Sequence, residues 1–252
     1  MKQVINKEFL SIKDVLNDYI LNFDTKGEPF GNQDRNSLKL FKINDITINV
    51  KSFRIPNLVN QIVYKKFRKS KARRSYEYAQ KLGQFGIGTP KPIGYFEFSS
   101  LFFFKKSFYV SEQLDCDITF RELTKNVNYP NHEEILRAFT RFTFKLHEHH
   151  ILFLDHSPGN TLIKKTTEGY NFNLVDLNRM EFKPLSFETR IKNFERLTTK
   201  KFMIEIMSDE YAKCSNEDYD KVFRLMWKNT QNFQNHFHKR RRLKKKLKFW
   251  KK

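Results

Sequence analysis

The chain has 252 residues, is 39% hydrophobic and 15% aromatic, and carries a formal net charge of +20. That apolar content, 27 Phe included, excludes a wholly disordered chain and suffices for one large domain or two lobes. No apolar run reaches the roughly 18 residues of a membrane span, MKQVINKEF lacks the apolar core of a secretory leader, and Cys116 and Cys214 form no metal-binding spacing, so a reduced, cytosolic setting is expected.

In chain order, residues 10–23 have a weak helical pattern. Residues 37–54 read as a β-hairpin: SLKLFKI and ITINVKSF alternate with period two around an Asn44-Asp45 turn. From Asn57 to Leu82 apolar residues recur at helical spacing (Leu58, Ile62, Phe67, Tyr78, Leu82), with Pro56 near the start and Gly83 at the end. TPKPIGYFEF and FYVSEQL read as two further strands. Residues 132–149 place Ile135, Phe139, Phe142 and Leu146 on one helix face, and Asn131 with Glu134 has the form of a capping box. A short apolar run (Ile151–Leu154), a loop through Gly159 and a hairpin from Thr161 to Val175 follow, and the chain from about Phe187 is mostly helical. The expected fold class is therefore α+β and bilobal. A β-rich lobe with one long helix spans 1–114, a helical lobe spans 115–238, and the hinge falls near Glu112–Asp117.

The charge is local. Residues 65–74 (KKFRKSKARR) carry seven basic residues and no acid, and residues 239–252 (KRRRLKKKLKFWKK) carry ten and no acid. A solvated helix face usually interleaves signs, so both blocks read as devices for meeting anions. In 239–252, Leu243, Leu247 and Trp250 share a helical face that Phe233 and Phe237 extend. That is the pattern of an interfacial amphipathic tail at an anionic membrane surface. The alternatives are a disordered basic tail or one that binds nucleic acid.

The densest chemical signal is LFLDHSPGNTLIKKTTEGYNFNLVDLN, with Asp155, Asn160 and Asp176 in the order and spacing of a kinase catalytic half. Phosphoryl transfer asks a protein for positioning and charge neutralisation. Asp155 would orient the attacking hydroxyl and accept its proton, while Asn160 and Asp176 supply hard oxygen ligands for Mg²⁺ on the ATP phosphates. Lys51, in the strand INVKSF, and Glu77, in the following helix, would clamp the α/β-phosphates, and Glu112 lies at the expected hinge beside the nucleotide. Gly27 and Gly31 make a weak phosphate-loop candidate. Taken singly, Asp155 or Asn160 reads as a turn former, and Glu77 as a solvated residue paired with Arg73, Arg74 or Lys81. His147 and His150 lack the third ligand that a zinc site requires.

FRKSKARRSYEYAQKLGQFGIGTPKPIGY, LDHSPGNTL and LVDLNRMEF together resemble the bacterial lipopolysaccharide kinases, over roughly Gly27–Leu197. The resemblance implies a protein-kinase-like fold, ATP and Mg²⁺, and a Kdo or heptose hydroxyl of an inner-core glycolipid as acceptor, phosphorylated at the inner face of the cytoplasmic membrane. It assigns the family's functional positions to Lys51, Glu77, Asp155, Asn160 and Asp176. Phe153-Leu154 stand where kinases usually place His-Arg, Ser157 where kinases acting on Ser/Thr place Lys, and Leu177-Asn178 where they place Phe-Gly. These departures point away from a phosphorylation-regulated protein kinase. Two other classes stay open: another kinase-like enzyme or pseudokinase binding module, and a basic nucleic-acid-binding protein, which would leave the Asp155/Asn160/Asp176 spacing unexplained.

Overall fold

A computed structural model describes residues 1–31, 36–55, 68–101 and 103–249, with side chains to 244. The expected helix segment 57–67, Phe102, the loop 32–35 after Gly31, and Trp250 lie outside the described residues. The chain divides into two compact units, one of Met1–Asp115 with Asn173–Arg179, the other of Cys116–Phe172 with Met180–Lys252.

The first unit is built on β1 (Lys2–Ile5), β2 (Glu28–Pro29), β3 (Asn36–Ile43), β4 (Ile46–Phe53), β5 (Pro92–Ser99) and β6 (Phe104–Glu112). They form one sheet in the order β1-β5-β6-β4-β3-β2, with antiparallel neighbours. The β3–β4 hairpin runs in register from Asn36↔Phe53 to Ile43↔Ile46 and turns at Asn44, whose φ of 52° is one that Asn tolerates. Gly94 lets β1 approach β5, since a Cβ there would lie 2.7 Å from the Val4 carbonyl oxygen.

Alternation decides what each sheet face meets. Phe41, Ile43, Ile48, Val50, Ile93, Phe96, Phe108 and Val110 pack against Leu16 and Ile20 of α1 (Lys13–Leu21) and against Phe23. Phe53 and Tyr95 instead pack with Ala72 and Tyr76 of α2 (Lys71–Gln84). The Ser70 side chain caps α2 by accepting from the Arg73 N–H at 3.0 Å. The helix runs through the expected stop at Gly83. Gly86, at φ 62°, takes the left-handed position, and the Ile87 N–H closes back on the Leu82 carbonyl.

The second unit contains β7 (Ile118–Thr119), α3 (Phe120–Lys125), α4 (His132–Glu148), β8 (Ile151–Phe153), β9 (Thr161–Thr166), β10 (Gly169–Leu174, its last two residues counted with the first unit) and β11 (Met180–Phe182). Helices α5 (Phe187–Lys192), α6 (Lys201–Ser215) and α7 (Tyr219–Phe249) complete it. Its core joins Phe120, Ile135, Phe139, Phe194, Leu197, Met207, Tyr211, Val222 and Met226. The capping box expected at Asn131 and Glu134 is absent. Asn131 sits at φ 58°, which takes its side chain off the helix N-terminus, and its amide donates to the Tyr170 hydroxyl. The box is made one helix earlier, where Thr119 and Glu122 satisfy each other's main-chain N–H groups at the start of α3.

Helix α7 does not break at residue 239. Its buried face (Val222, Met226, Thr230) gives way to exposed Phe237 and Leu243. Among the described residues, no helix is long and apolar enough to cross a membrane. Cys116 and Cys214 are half-buried and form no disulfide.

Candidate active site

In the first unit, the alternation that turns Ile48 and Val50 towards α1 turns Lys51 to the α2 face, beside Phe53. Its ammonium lies 5.4 Å from the Phe53 ring centroid and 2.6 Å from Oδ1 of Asp176. Asp176 is carried by a short anchored segment. The Leu174 N–H donates to Gly88 O and the Thr89 hydroxyl to Leu174 O, while Leu174 and Leu177 are buried. Between those anchors Asp176 adopts φ 59°, a left-handed conformation that Asp, like Asn, visits more readily than other side chains. The Asn178 amide donates to the same Oδ1 at 2.7 Å. Oδ2 receives no donor among the described residues and is available to a ligand.

The expected Lys51–Glu77 clamp is not formed. Oε1 of Glu77 accepts from Arg73 Nε at 2.8 Å, and Oε2 accepts from Lys69 at 2.8 Å. The reason is local: Arg73 lies one helical turn before Glu77 on the same face of α2. Burial pushes the Glu77 carboxyl up, but these two hydrogen bonds outweigh it and hold the group below its ordinary range. What α2 does present towards Lys51 and Asp176 is Lys71, in its first turn, 6.0 Å from the same Phe53 ring. Burial first, and then the charges of Arg179, Arg74 and Lys51, push the Lys71 ammonium down, with Asp176 opposing. The carboxylate of Asp176 thus sits among cations suited to polyphosphate. Glu112 ends β6 opposite Ile48, its N–H donating to the Lys91 carbonyl.

In the second unit, β8 delivers the chain into the loop bearing Asp155. Phe153 is fully buried, and Pro158–Asn160 makes one 3₁₀ turn. The Asn160 amide nitrogen donates to the main-chain carbonyl of Asp155 at 2.8 Å, which ties the two ends of the loop together. That bond orients the Asn160 side chain, and among the described residues no donor reaches its oxygen. Gly159 lies against the Arg121 guanidinium, which a Cβ there would meet at 2.6 Å and displace. Carboxylate Oδ2 of Asp176 and amide Oδ1 of Asn160 are both hard oxygen donors of the kind Mg²⁺ takes, so the donor chemistry fits that ion. No cluster of three His, Cys, Asp or Glu suited to a metal occurs among the described residues.

Residues 41–225 match the lipopolysaccharide kinase (Kdo/WaaP) family. The chain belongs to that family. It is accordingly a phosphotransferase that acts on a sugar hydroxyl and draws on ATP. A solved structure titled "WaaP in complex with acyl carrier protein" is similar in fold, with a TM-score of 0.66 and 14% identity, covering 93% of this chain and 99% of that one. No curated protein sequence matches.

Several residues around this kinase's site carry no local sequence signal. Asn193 and Arg196, in the turn after α5, reach the Asp155 loop from about 40 positions away: Asn193 Nδ2 donates to Phe153 O at 2.9 Å and Arg196 Nη1 to Leu154 O at 3.1 Å. Asn193 Oδ1, an acceptor, faces His147 Nε2 at 3.2 Å, so that nitrogen carries the proton and His147 Nδ1 accepts from the Tyr211 hydroxyl at 2.9 Å. Burial pushes the His147 imidazole down to about 4, and burial pushes His156, beside Phe139, Phe153 and Phe194, to about 3. Both rings are neutral, structural supports. His147 therefore supports the loop through Asn193, with both ring nitrogens engaged in hydrogen bonds.

Proposed function

We propose that the protein transfers the γ-phosphate of ATP to a Kdo or heptose hydroxyl of a lipopolysaccharide inner-core glycolipid, at the inner face of the cytoplasmic membrane. The observation that carries the residue assignment is the Lys51–Asp176 contact. These residues stand 125 positions apart in sequence and meet at 2.6 Å with lysine and carboxylate in the order a kinase requires.

In this reading Asp155 accepts the proton of the sugar hydroxyl as its oxygen attacks the γ-phosphorus and the bond to the β,γ-bridging oxygen breaks, releasing ADP. Asn160 and Asp176 hold Mg²⁺, which when bound neutralises charge on the transferring phosphoryl group. Lys51 binds and orients the α/β-phosphates. Glu77 serves as the partner Lys51 takes when nucleotide is bound, exchanging Lys69 and Arg73 for it, and Glu112 borders the adenine side at the end of β6. The two units act as the nucleotide lobe and the acceptor lobe. The C-terminal end of α7 supplies the membrane contact, its basic run meeting anionic headgroups while Phe237 and Leu243 enter the interface.

The deciding experiment is transfer of label from γ-labelled ATP to a panel of Kdo-bearing and heptose-bearing core glycolipids, with Mg²⁺ and with EDTA. Label on one class of glycolipid is the expected result. ATP binding with no transfer to any glycolipid would instead indicate a pseudokinase.

A further inference from the structure

The loop that bears Asp155 has Leu154 immediately before the aspartate, and that side chain is 42% exposed. A cation nevertheless reaches Asp155. Nη1 of Arg196 lies 2.9 Å from Asp155 Oδ1 and also donates to Leu154 O, so one guanidinium grips both the carboxylate and the backbone that carries it.

The local fold explains why Arg196 points there. Phe194 and Leu197 are fully buried and pin the turn after α5 into the core. Within that anchored turn Asn193 and Arg196, three residues apart, both bond the Asp155 loop. The Arg196 guanidinium is then covered by α7, with its Cζ 5.6 Å from the Phe233 ring centroid. Glu195, next to it, has its carboxyl pushed up by burial and pulled back by Lys192, Arg196 and His236, so α7 also brings a titratable group to this turn. Arg196 is therefore held between a carboxylate and an aromatic face, with two-thirds of its side chain out of solvent.

We propose that Arg196 is the positioning residue of Asp155, aimed by the Asn193–Leu197 turn and clamped by Phe233, so that helix α7 sets the orientation of the base. The inference rests on the reading of Asp155 as base. It assigns to an arginine from a distant turn the bracing of the loop, and it connects the helix carrying the basic run to the reacting end of the enzyme. A carboxylate displaced by a fraction of an ångström loses its alignment with the hydroxyl proton, and the loss falls on the chemical step, leaving nucleotide binding intact.

The test uses the full chain and label transfer from ATP to the core glycolipid that accepts it. Arg196→Met is expected to lower kcat about 100-fold with KM for ATP unchanged. Arg196→Lys, which keeps the charge but not the fork, is expected to recover roughly tenfold of that loss. Phe233→Leu, which keeps apolar volume but removes the ring, is expected to lower kcat roughly two- to fivefold and applies even where Arg196→Met does not fold. Wild-type kcat in Arg196→Met, or equal rates for the Met and Lys variants, would overturn the positioning role, and an unchanged Phe233→Leu would overturn the α7 clamp. Asp155→Asn separates the two levels. Full turnover there rejects the base itself, whereas an inactive Asp155→Asn beside a fully active Arg196→Met leaves the base standing and removes only the proposal about Arg196.

Discussion

Lys51 and Asp176 share a direct ion pair at 2.6 Å, their side chains 15% and 30% exposed. On the proposed function, the pair holds the lysine for the ATP phosphates and leaves one carboxylate oxygen for Mg²⁺. Lys51→Met is expected to lower kcat/KM for ATP about 10²–10³-fold. Asp176→Asn is expected to abolish the Mg²⁺ dependence of nucleotide affinity. Label transfer at varied ATP checks the first, and titration calorimetry with ATP, with and without Mg²⁺, checks the second; identical isotherms for wild type and Asp176→Asn would reject the metal role.

Asp155→Ala should eliminate sugar phosphorylation while ATP affinity and the thermal transition stay near wild type. Label transfer, calorimetry and circular dichroism measured on one preparation give the answer. Wild-type-like transfer would reject the base.

Glu77→Gln discriminates between two states of one residue. Its bonds to Arg73 and Lys69 lie near the surface, so the folding cost should stay below about 1 kcal/mol in a urea titration. A rise in KM for ATP well beyond that cost is the expected sign that Glu77 serves Lys51 when nucleotide is bound. An unchanged KM would confine Glu77 to fastening the start of α2.

Stability should fall on the acid side. His147 and His156 titrate near 6.5 when unfolded and at about 4 and about 3 when folded, because burial disfavours the imidazolium. The unfolded chain then binds more protons below pH 6.5. The stability held by the neutral rings is complete above pH 6.5 and drains as pH falls towards 4, by roughly 3 kcal/mol for His147 alone. Urea midpoints from pH 7 to pH 4 should show this slope, and His156→Phe should flatten it. A variant with the wild-type slope would count against the buried neutral His156.

Removing residues 239–252 should abolish flotation with anionic liposomes and leave phosphorylation of a water-soluble, deacylated core sugar intact. The ten basic residues removed are worth about 1 kcal/mol each near an anionic leaflet before screening. A truncated chain that floats like the full one would exclude this segment as the membrane contact.

The strands, the helix at 132–148 and the order Asp155, Asn160, Asp176 were legible along the chain, because each depends on neighbours within a few positions. Alternation marked β3 and β4, the 3.6-residue period marked α4, and the loop chemistry of SPGN marked its own turn. The helix caps were less legible. Asn131 has the right residue type, but its left-handed backbone, set by the fold around it, takes its side chain away from the helix start, and Thr119 makes the box instead. Partner choice was decided by tertiary structure alone. Lys51 meets Asp176 because alternation in β4 and a left-handed aspartate bring them together across 125 positions, while Glu77 goes to Arg73 because a residue one helical turn away costs no chain closure. Arg196 reaches Asp155 from a turn that the buried Phe194 and Leu197 anchor in the core. Local pattern thus singled out the candidate residues, and core packing specified which of them touch.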